Sequence, residues 1–235
     1  MDEVLYTVRI SSRARRVALR VMPHGAVEVV LPRGVSHSVV PGFLARNREW
    51  ILQTRERMRA ASRVPPELHG PRPARIELRA IHDVWQVHYD PALTRTVSRS
   101  GESCLRLPED TNERTGERLR RWLHGQAVMH LEPWLRRLAS QHGFAVNRVT
   151  IRAQRSRWGS CSSKGNINLN SRLMFLAPEV VRYLFIHELC HTVHLNHSPA
   201  YWALVEQVEP RWKQLDNCLR EGFRDVPLWA YASYG

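Results

Sequence analysis

The stretch APEVVRYLFIHELCHTVHLNHSPAYW, residues 177–202, decides the fold. Pro178 suits the first turn of a helix, where its missing N–H costs nothing. At about 100° per residue, a helix over 178–195 sorts its residues into two groups. Val181, Leu184, Phe185, Ile186, Leu189, Val193 and Leu195 cover most of the circumference, which predicts a buried helix. The remaining stripe holds Tyr183, His187, Cys190, His191 and His194. Packing alone gives a buried helix no reason to keep three histidines in one line.

His187 and His191 are four residues apart, so their imidazoles leave one face about 6 Å apart at the backbone. Glu188 lies between them, completing H-E-x-x-H, the arrangement in which two histidines hold zinc and the glutamate is general base. A carboxylate beside Leu184 and Leu195 is costly to bury unless a positive charge offsets it. A metal ion provides that charge. Catalytic zinc takes three protein ligands and keeps a fourth position open, and His194 and His197 compete for third place. Three ligands along one helical line approach nearly in a plane and make a poor tetrahedron. His197 follows Asn196, a residue tolerant of the left-handed conformation that ends helices, and precedes Ser198-Pro199, an N-cap and first-turn pair. A corner there brings His197 in from a second direction. The expected centre is therefore one Zn2+ per chain on His187, His191 and His197, with Glu188 as catalytic base. The ten-residue spacing from first to third histidine is also that of metzincins, but His194 occupies that pattern's glycine position and no methionine follows Met174.

Working outward, residues 4–10, 15–22 and 26–31 read as strands with a turn at His24-Gly25, and Ser36–Ala61 as helix. Residues 63–75, RVPPELHGPRPAR, carry four prolines and a glycine and mark a connection. Ile76–Asp90 and Thr94–Leu107 form a second strand group. A long amphipathic helix follows, with Leu119, Trp122, Leu123, Ala127, Leu131, Trp134, Leu135 and Leu138 on one stripe. Pro133 is expected to kink it or to start a second helix, and His142-Gly143 to end it. Phe144–Arg152 and Asn166–Asn170 read as strands joined by the turn region RSRWGSCSSKG. The expected organisation is 1–62 (strands and helix), 63–75 (connection), 76–112 (strand group), 113–221 (metal-binding core) and 222–235 (tail).

Four pieces stand in a distinctive order: RSRWGSC (155–161), INLNSRL (167–173), APEVVRYLFIHELCH (177–191) and NHSPAYW (196–202). With them the region 155–202 resembles the YgjP-like metallopeptidase family, relatives of WLM and SprT-type zinc proteases. The resemblance implies an α+β, zincin-like core: a small antiparallel sheet packed on the H-E-x-x-H helix, beside an N-terminal β-rich part with a helix. It implies the same three histidines as ligands, Glu188 as base, and peptide or protein as substrate. Arg155 and Arg157 are candidates to face the cleft, where a guanidinium holds a carboxylate or phosphate. Tyr183 is a candidate substrate contact, with core packing the favoured reading. His194 either donates a hydrogen bond to the reacting group or stacks unused.

Composition sets the class. The chain has 235 residues, 43% apolar and 24% charged, enough for a real core. The first residues lack the apolar run of a signal peptide, and no segment approaches the roughly 18 apolar residues of a membrane span. The four cysteines make no CxxC pair, so reduced thiols and a cytoplasmic location are expected. The net charge of +13 allows weak nucleic-acid association, but the arginines are spread along the chain with no basic run longer than two. Beside the peptidase stand two alternatives: a hydrolase of nucleotides or other phosphoesters on the same zinc site, and a nucleic-acid-associated protein with a SprT-like protease role.

Overall fold

The computed structural model describes residues 6–22, 25–154 and 156–231. The chain forms two compact units, the first running to Arg63 and the second starting at Val64.

In the first unit, β1 (Tyr6–Ser11), β2 (Ala18–Val21) and β3 (Val27–Pro32) pair in the order β1-β3-β2, with β1 parallel and β2 antiparallel to β3. Alternation along β3 turns Val29 and Leu31 onto Val40, with Phe43 and Leu44 around them. The expected single helix over 36–61 is two helices, α1 (Val39–Arg46) and α2 (Arg48–Ala60). They part at Asn47, which leaves helical geometry at φ −106° and ψ 10° while its side-chain amide donates to Phe43 O. Residues with amide side chains compete for backbone partners in this way. Gly25 takes the left-handed turn position at φ +81°; its expected partner His24 lies outside the described residues.

The second unit starts with β4 (Arg75–Leu78), β5 (Asp83–Asp90), β6 (Val97–Arg99) and β7 (Cys104–Pro108), ordered β4-β5-β7-β6. The strand group expected over these residues is present, and two short turns divide its strands. One is the 3-10 turn Arg79–Ile81, followed by His82 at φ 53°, and the other is Ser100–Glu102, followed by Ser103 at φ 44°. Helix α3 (Asn112–Gln141) is capped by Thr111, whose hydroxyl accepts from Arg114 N. It runs through Pro133 as one helix, so no second helix starts there. Its inner stripe from Leu119 to Leu138 is buried against both sheets.

The second sheet is β8 (Arg148–Arg152), β9 (Gly159–Cys161) and β10 (Asn166–Asn170), ordered β8-β10-β9. It is mixed rather than antiparallel, because β8 runs parallel to β10 and only β9 opposes it. Strand β9 itself lies in the region expected to be a turn. Three helices complete the unit: α4 (Pro178–Cys190), α5 (Pro199–Val208) and α6 (Trp212–Glu221). One hydrophobic cluster extends from Ile76 to Tyr231, across the expected boundaries at 112/113 and 221/222. Val226, Trp229, Ala230 and Tyr231 belong to this cluster, and Arg172 Nε donates to Ala230 O while Arg120 donates to Trp229 O and Tyr231 O. No described helix is long and apolar enough to cross a membrane.

Candidate metal centre

Helix α4 begins at Pro178 as expected but ends at Cys190, five residues short of the expected end. His191 is its C-cap, and the next residues turn back: Thr192 N and Thr192 Oγ1 both donate to Leu189 O, and His194 N donates to Cys190 O. Val193 and Leu195, expected on the buried face, are consequently 57% and 66% exposed. The corner needs no left-handed residue at Asn196; the non-glycine positive φ values among the described residues are at His82 and Ser103. Ser198 Oγ accepts from Tyr201 N and starts α5.

This corner brings three imidazoles together. The ring centroids of His187, His191 and His197 lie 4.7–5.1 Å apart pairwise, and one nitrogen of each falls within 4.8 Å of the others. His187 Nε2 and His197 Nε2 face each other at 3.3 Å. A tetrahedral zinc with Zn–N of about 2.0–2.1 Å sets its nitrogen ligands roughly 3.3–3.4 Å apart, so this pair already has the spacing of one tetrahedral edge. Burial, and the neighbouring His191 and His197, depress His187 to about 4. Burial also lowers His191. Neutral imidazoles have the free lone pair that a metal requires. The donor set fits a metal ion.

Each ring is held from behind. His191 Nδ1 lies 3.0 Å from His194 O, which turns His191 Nε2 toward the cluster. His191 also stacks on Tyr201 at 4.5 Å and 25°, and Tyr201 Oη donates to His187 O at 3.0 Å. His197 stacks on Trp202 at 5.4 Å and 20°, and Trp202 on Trp212 at 4.3 Å and 19°. Tyr201 and Trp202 thus clamp two of the three rings.

Glu188 points from α4 toward β9 and is 4% exposed. Burial pushes its carboxyl up to about 8, with Arg157 pulling the other way. Gly159 gives it room, for a Cβ there would overlap the carboxylate. Cys161, two residues along β9, is pushed to about 11 by burial and by the Glu188 charge. The loop leading into β9 is pinned from below. Asn170 Nδ2 donates to Gln154 O and Arg157 O, each at 2.8 Å, and buried Arg172 donates to Gln154 O at 2.7 Å. Trp158 stacks on Phe223 at 4.1 Å and donates from Nε1 to Leu219 O. Two motifs that are separate in sequence, RSRWGSC and INLNSRL, therefore form one support for the Glu188 side of the centre.

The other candidates divide. Arg157 is exposed and close enough to act on Glu188. Arg155 lies outside the described residues. Tyr183 is fully buried and its hydroxyl donates to Asp216 Oδ1 at 3.0 Å, the packing position favoured for it. The His194 ring is not part of the cluster; its carbonyl is what meets His191. Asn170 and Asp216 had no role assigned from the sequence, and Gly159 makes room for Glu188 rather than simply serving a turn. Gly159 and Asn170 stood within quoted motifs, whereas Asp216 had no signal in the chain.

The family model for the YgjP-like metallopeptidase domain matches residues 15–222. The chain belongs to the YgjP-like metallopeptidase family. The match takes in both motifs of the Glu188 support, the three histidines and most of the first unit, so this YgjP-like protein is related to its family over more than the H-E-x-x-H helix. Among solved structures, the metallopeptidase zymogen of Pyrococcus abyssi abylysin is 30% identical over 37% of this chain and 89% of its own, at a TM-score of 0.34. No curated protein matches.

Proposed function

We propose that this YgjP-like protein is a zinc-dependent peptidase in which His187, His191 and His197 hold one zinc ion and Glu188 is the general base. The observation that carries the reading is the convergence of three imidazoles, with the proton affinities of His187 and His191 lowered by burial, beside a buried glutamate of raised proton affinity. Zinc in such a site acts as a Lewis acid and lowers the pKa of a coordinated water to about 7. Glu188 would accept the proton of the attacking water as it adds to the peptide carbonyl and return it to the leaving amine as the C–N bond breaks. A base works best when its pKa lies near the working pH. Burial raises Glu188 into that region, and Arg157 opposes the rise. The exposed Arg157 guanidinium offers substrate a partner for a carboxylate or a developing oxyanion.

Peptide is favoured over phosphoester by the form of the sheet. Among the described residues β9 pairs only with β10, leaving its outer edge next to Glu188 with main-chain groups that an extended peptide can match. The test is zinc-loaded protein assayed side by side on casein, a peptide library and nucleoside triphosphates. Peptide cleavage that disappears in Glu188→Gln while zinc stays bound is expected. Hydrolysis of triphosphates alone, or an active Gln variant, overturns the assignment. The four thiols are free, which supports action in the reducing cytoplasm.

A second reading, weak association with nucleic acid, is favoured by the uneven charge. Residues 1–63 hold 12 arginines against 5 acids, and Arg46, Arg48, Arg57 and Arg59 stand exposed along α1 and α2 with Trp50. Its mark is an affinity for single-stranded DNA that falls steeply with salt and is untouched by chelation. Binding that ignores salt overturns it.

A further inference from the structure

Strands β9 and β10 pair as far as Gly159 and Leu169, and one residue further along β10 Asn170 takes over. Its backbone N–H donates to Trp158 O at 2.8 Å, and its side-chain Nδ2 donates to Gln154 O and Arg157 O, each at 2.8 Å. Its Oδ1 accepts from Arg172 N at 3.1 Å and so caps the 3-10 turn Ser171–Phe175 ahead of α4. The residue is fully buried. A side-chain amide brings two N–H donors and one carbonyl acceptor. Carbonyl oxygens only accept and a backbone N–H only donates, so these neighbours fix which way the amide faces and every group finds a partner. Polar networks satisfied in this way hold one geometry. Aspartate has the same shape but, when ionised, no donor; leucine has neither donor nor acceptor.

The segment held by this amide meets the proposed base. All three carbonyls belong to the chain entering β9, and the residue after Trp158 is Gly159, whose bare α-carbon lies against Glu188. The capped turn on the other side leads into α4, which carries Glu188. Asn170 therefore ties together the two stretches of chain that meet at the carboxylate. Its two acceptors are not equally supported. Gln154 O has a second donor in Arg172 Nη1 at 2.7 Å, whereas among the described residues Arg157 O is held by the Asn170 amide. The Trp158 ring is fixed separately, by Phe223 and by Leu219 O, so the main chain at 157–158 is what the amide adds.

We propose that Asn170 is a positioning residue for the peptidase site: its amide, clamped on Gln154 O and Arg157 O, sets the main chain on which Gly159 faces Glu188. The inference rests on the proposed peptidase reading and adds to it a residue that touches neither metal nor substrate. It gives INLNSRL a part in turnover rather than in metal binding, since the three histidines come from α4 and the corner after it.

The test compares the full-length protein with Asn170→Asp, a nearly isosteric change that removes both donors. Ile151→Val, a change buried in β8 and outside the clamp, measures plain destabilisation. Zinc content, KM and kcat on a peptide are read for the zinc-loaded proteins, and hydrogen exchange over residues 156–161, by mass spectrometry, for the metal-free ones. Asn170→Asp is expected to keep its zinc and a KM close to that of wild type. It should lose about 10²-fold in kcat, as a displacement of about 1 Å at a reacting group does, and its exchange should quicken over 156–161 more than elsewhere. Ile151→Val should unfold at lower urea with the kcat and the local exchange of wild type. Asn170→Ala leaves the carbonyls unmet without adding a charge; it should repeat the pattern of Asn170→Asp and takes its place if that variant does not fold. Wild-type kcat in a folded Asn170 variant overturns the proposal. So does a loss of kcat that comes with lost zinc, or with exchange raised evenly along the chain, the signs of a purely structural part. A wild-type protein that binds zinc and cleaves no peptide overturns the peptidase reading instead, while the exchange comparison, made without metal, still decides whether Asn170 holds the segment.

Discussion

Glu188 lies against the bare α-carbon of Gly159: a Cβ built there would stand 2.5 Å from Glu188 Oε1 and 2.9 Å from both Cγ and Cδ. Backbone freedom is not the reason for this glycine, since its φ is not positive. The strand needs the missing side chain because the Glu188 carboxylate occupies the space.

Gly159→Ala is therefore expected to displace Glu188 while leaving the three histidines alone. Forcing a methyl into such a contact costs about 1–3 kcal/mol of stability, and a misplacement of about 1 Å at a reacting group costs roughly 10²-fold in rate. Zinc content by elemental analysis should be unchanged while peptide turnover drops. A variant with full turnover would show that the carboxylate does not work from its present position.

Legibility followed periodicity. The stripes of α3 and α4 and the alternation in β3, β4 and β7 were readable because long apolar patterns have one period. Chain breaks were less so. Asn47, His82 and Ser103 end elements through local side-chain competition or left-handed geometry, and none carries a strong signal. Pro133 does not start a second helix, because α3 runs on through it. At the centre, the three histidines could be read from spacing, because a helix and a corner set that spacing locally. The residues that hold them could not. Asp216 reaches Tyr183, one turn before His187, across 33 residues of chain, and Gly159 reaches Glu188 across 29 in the other direction.

His194 and His197 are separated by a simple metal count. His197→Ala removes a member of the cluster and is expected to leave the protein largely without zinc after dialysis. His194→Ala keeps the backbone carbonyl that faces His191 Nδ1 and should retain a full equivalent. The reverse pattern, by elemental analysis, would move the third ligand to His194.

Trp202 has no polar contact with the centre, yet its indole covers one face of His197. Trp202→Ala frees that ring to rotate and opens space beside Trp212. The expected outcome is a loss of about 0.5–3 kcal/mol in stability together with faster zinc release, followed by stopped-flow chelation. Unfolding at lower urea with an unchanged release rate would reduce Trp202 to packing alone.

The burial of Glu188 also predicts how the metal-free protein responds to pH. Its carboxyl titrates near 4.5 when unperturbed and near 8 in the fold, so the folded state binds the proton more tightly. Stability from this group is fully present below about 4.5 and is lost as pH rises toward 8, by about 1.4 kcal/mol per unit at most. His187 has the opposite sign. With a folded value of about 4 against 6.5, it removes stability as pH falls through that interval. Glu188→Gln carries no charge at any pH and leaves His187 in place, so the histidine contribution largely cancels in the comparison. The stability of metal-free Glu188→Gln relative to wild type, from urea unfolding, should therefore grow between pH 5 and pH 8 and then level off. A difference that stays constant over that range would mean that the glutamate is solvated in the metal-free fold and is not the buried base required here.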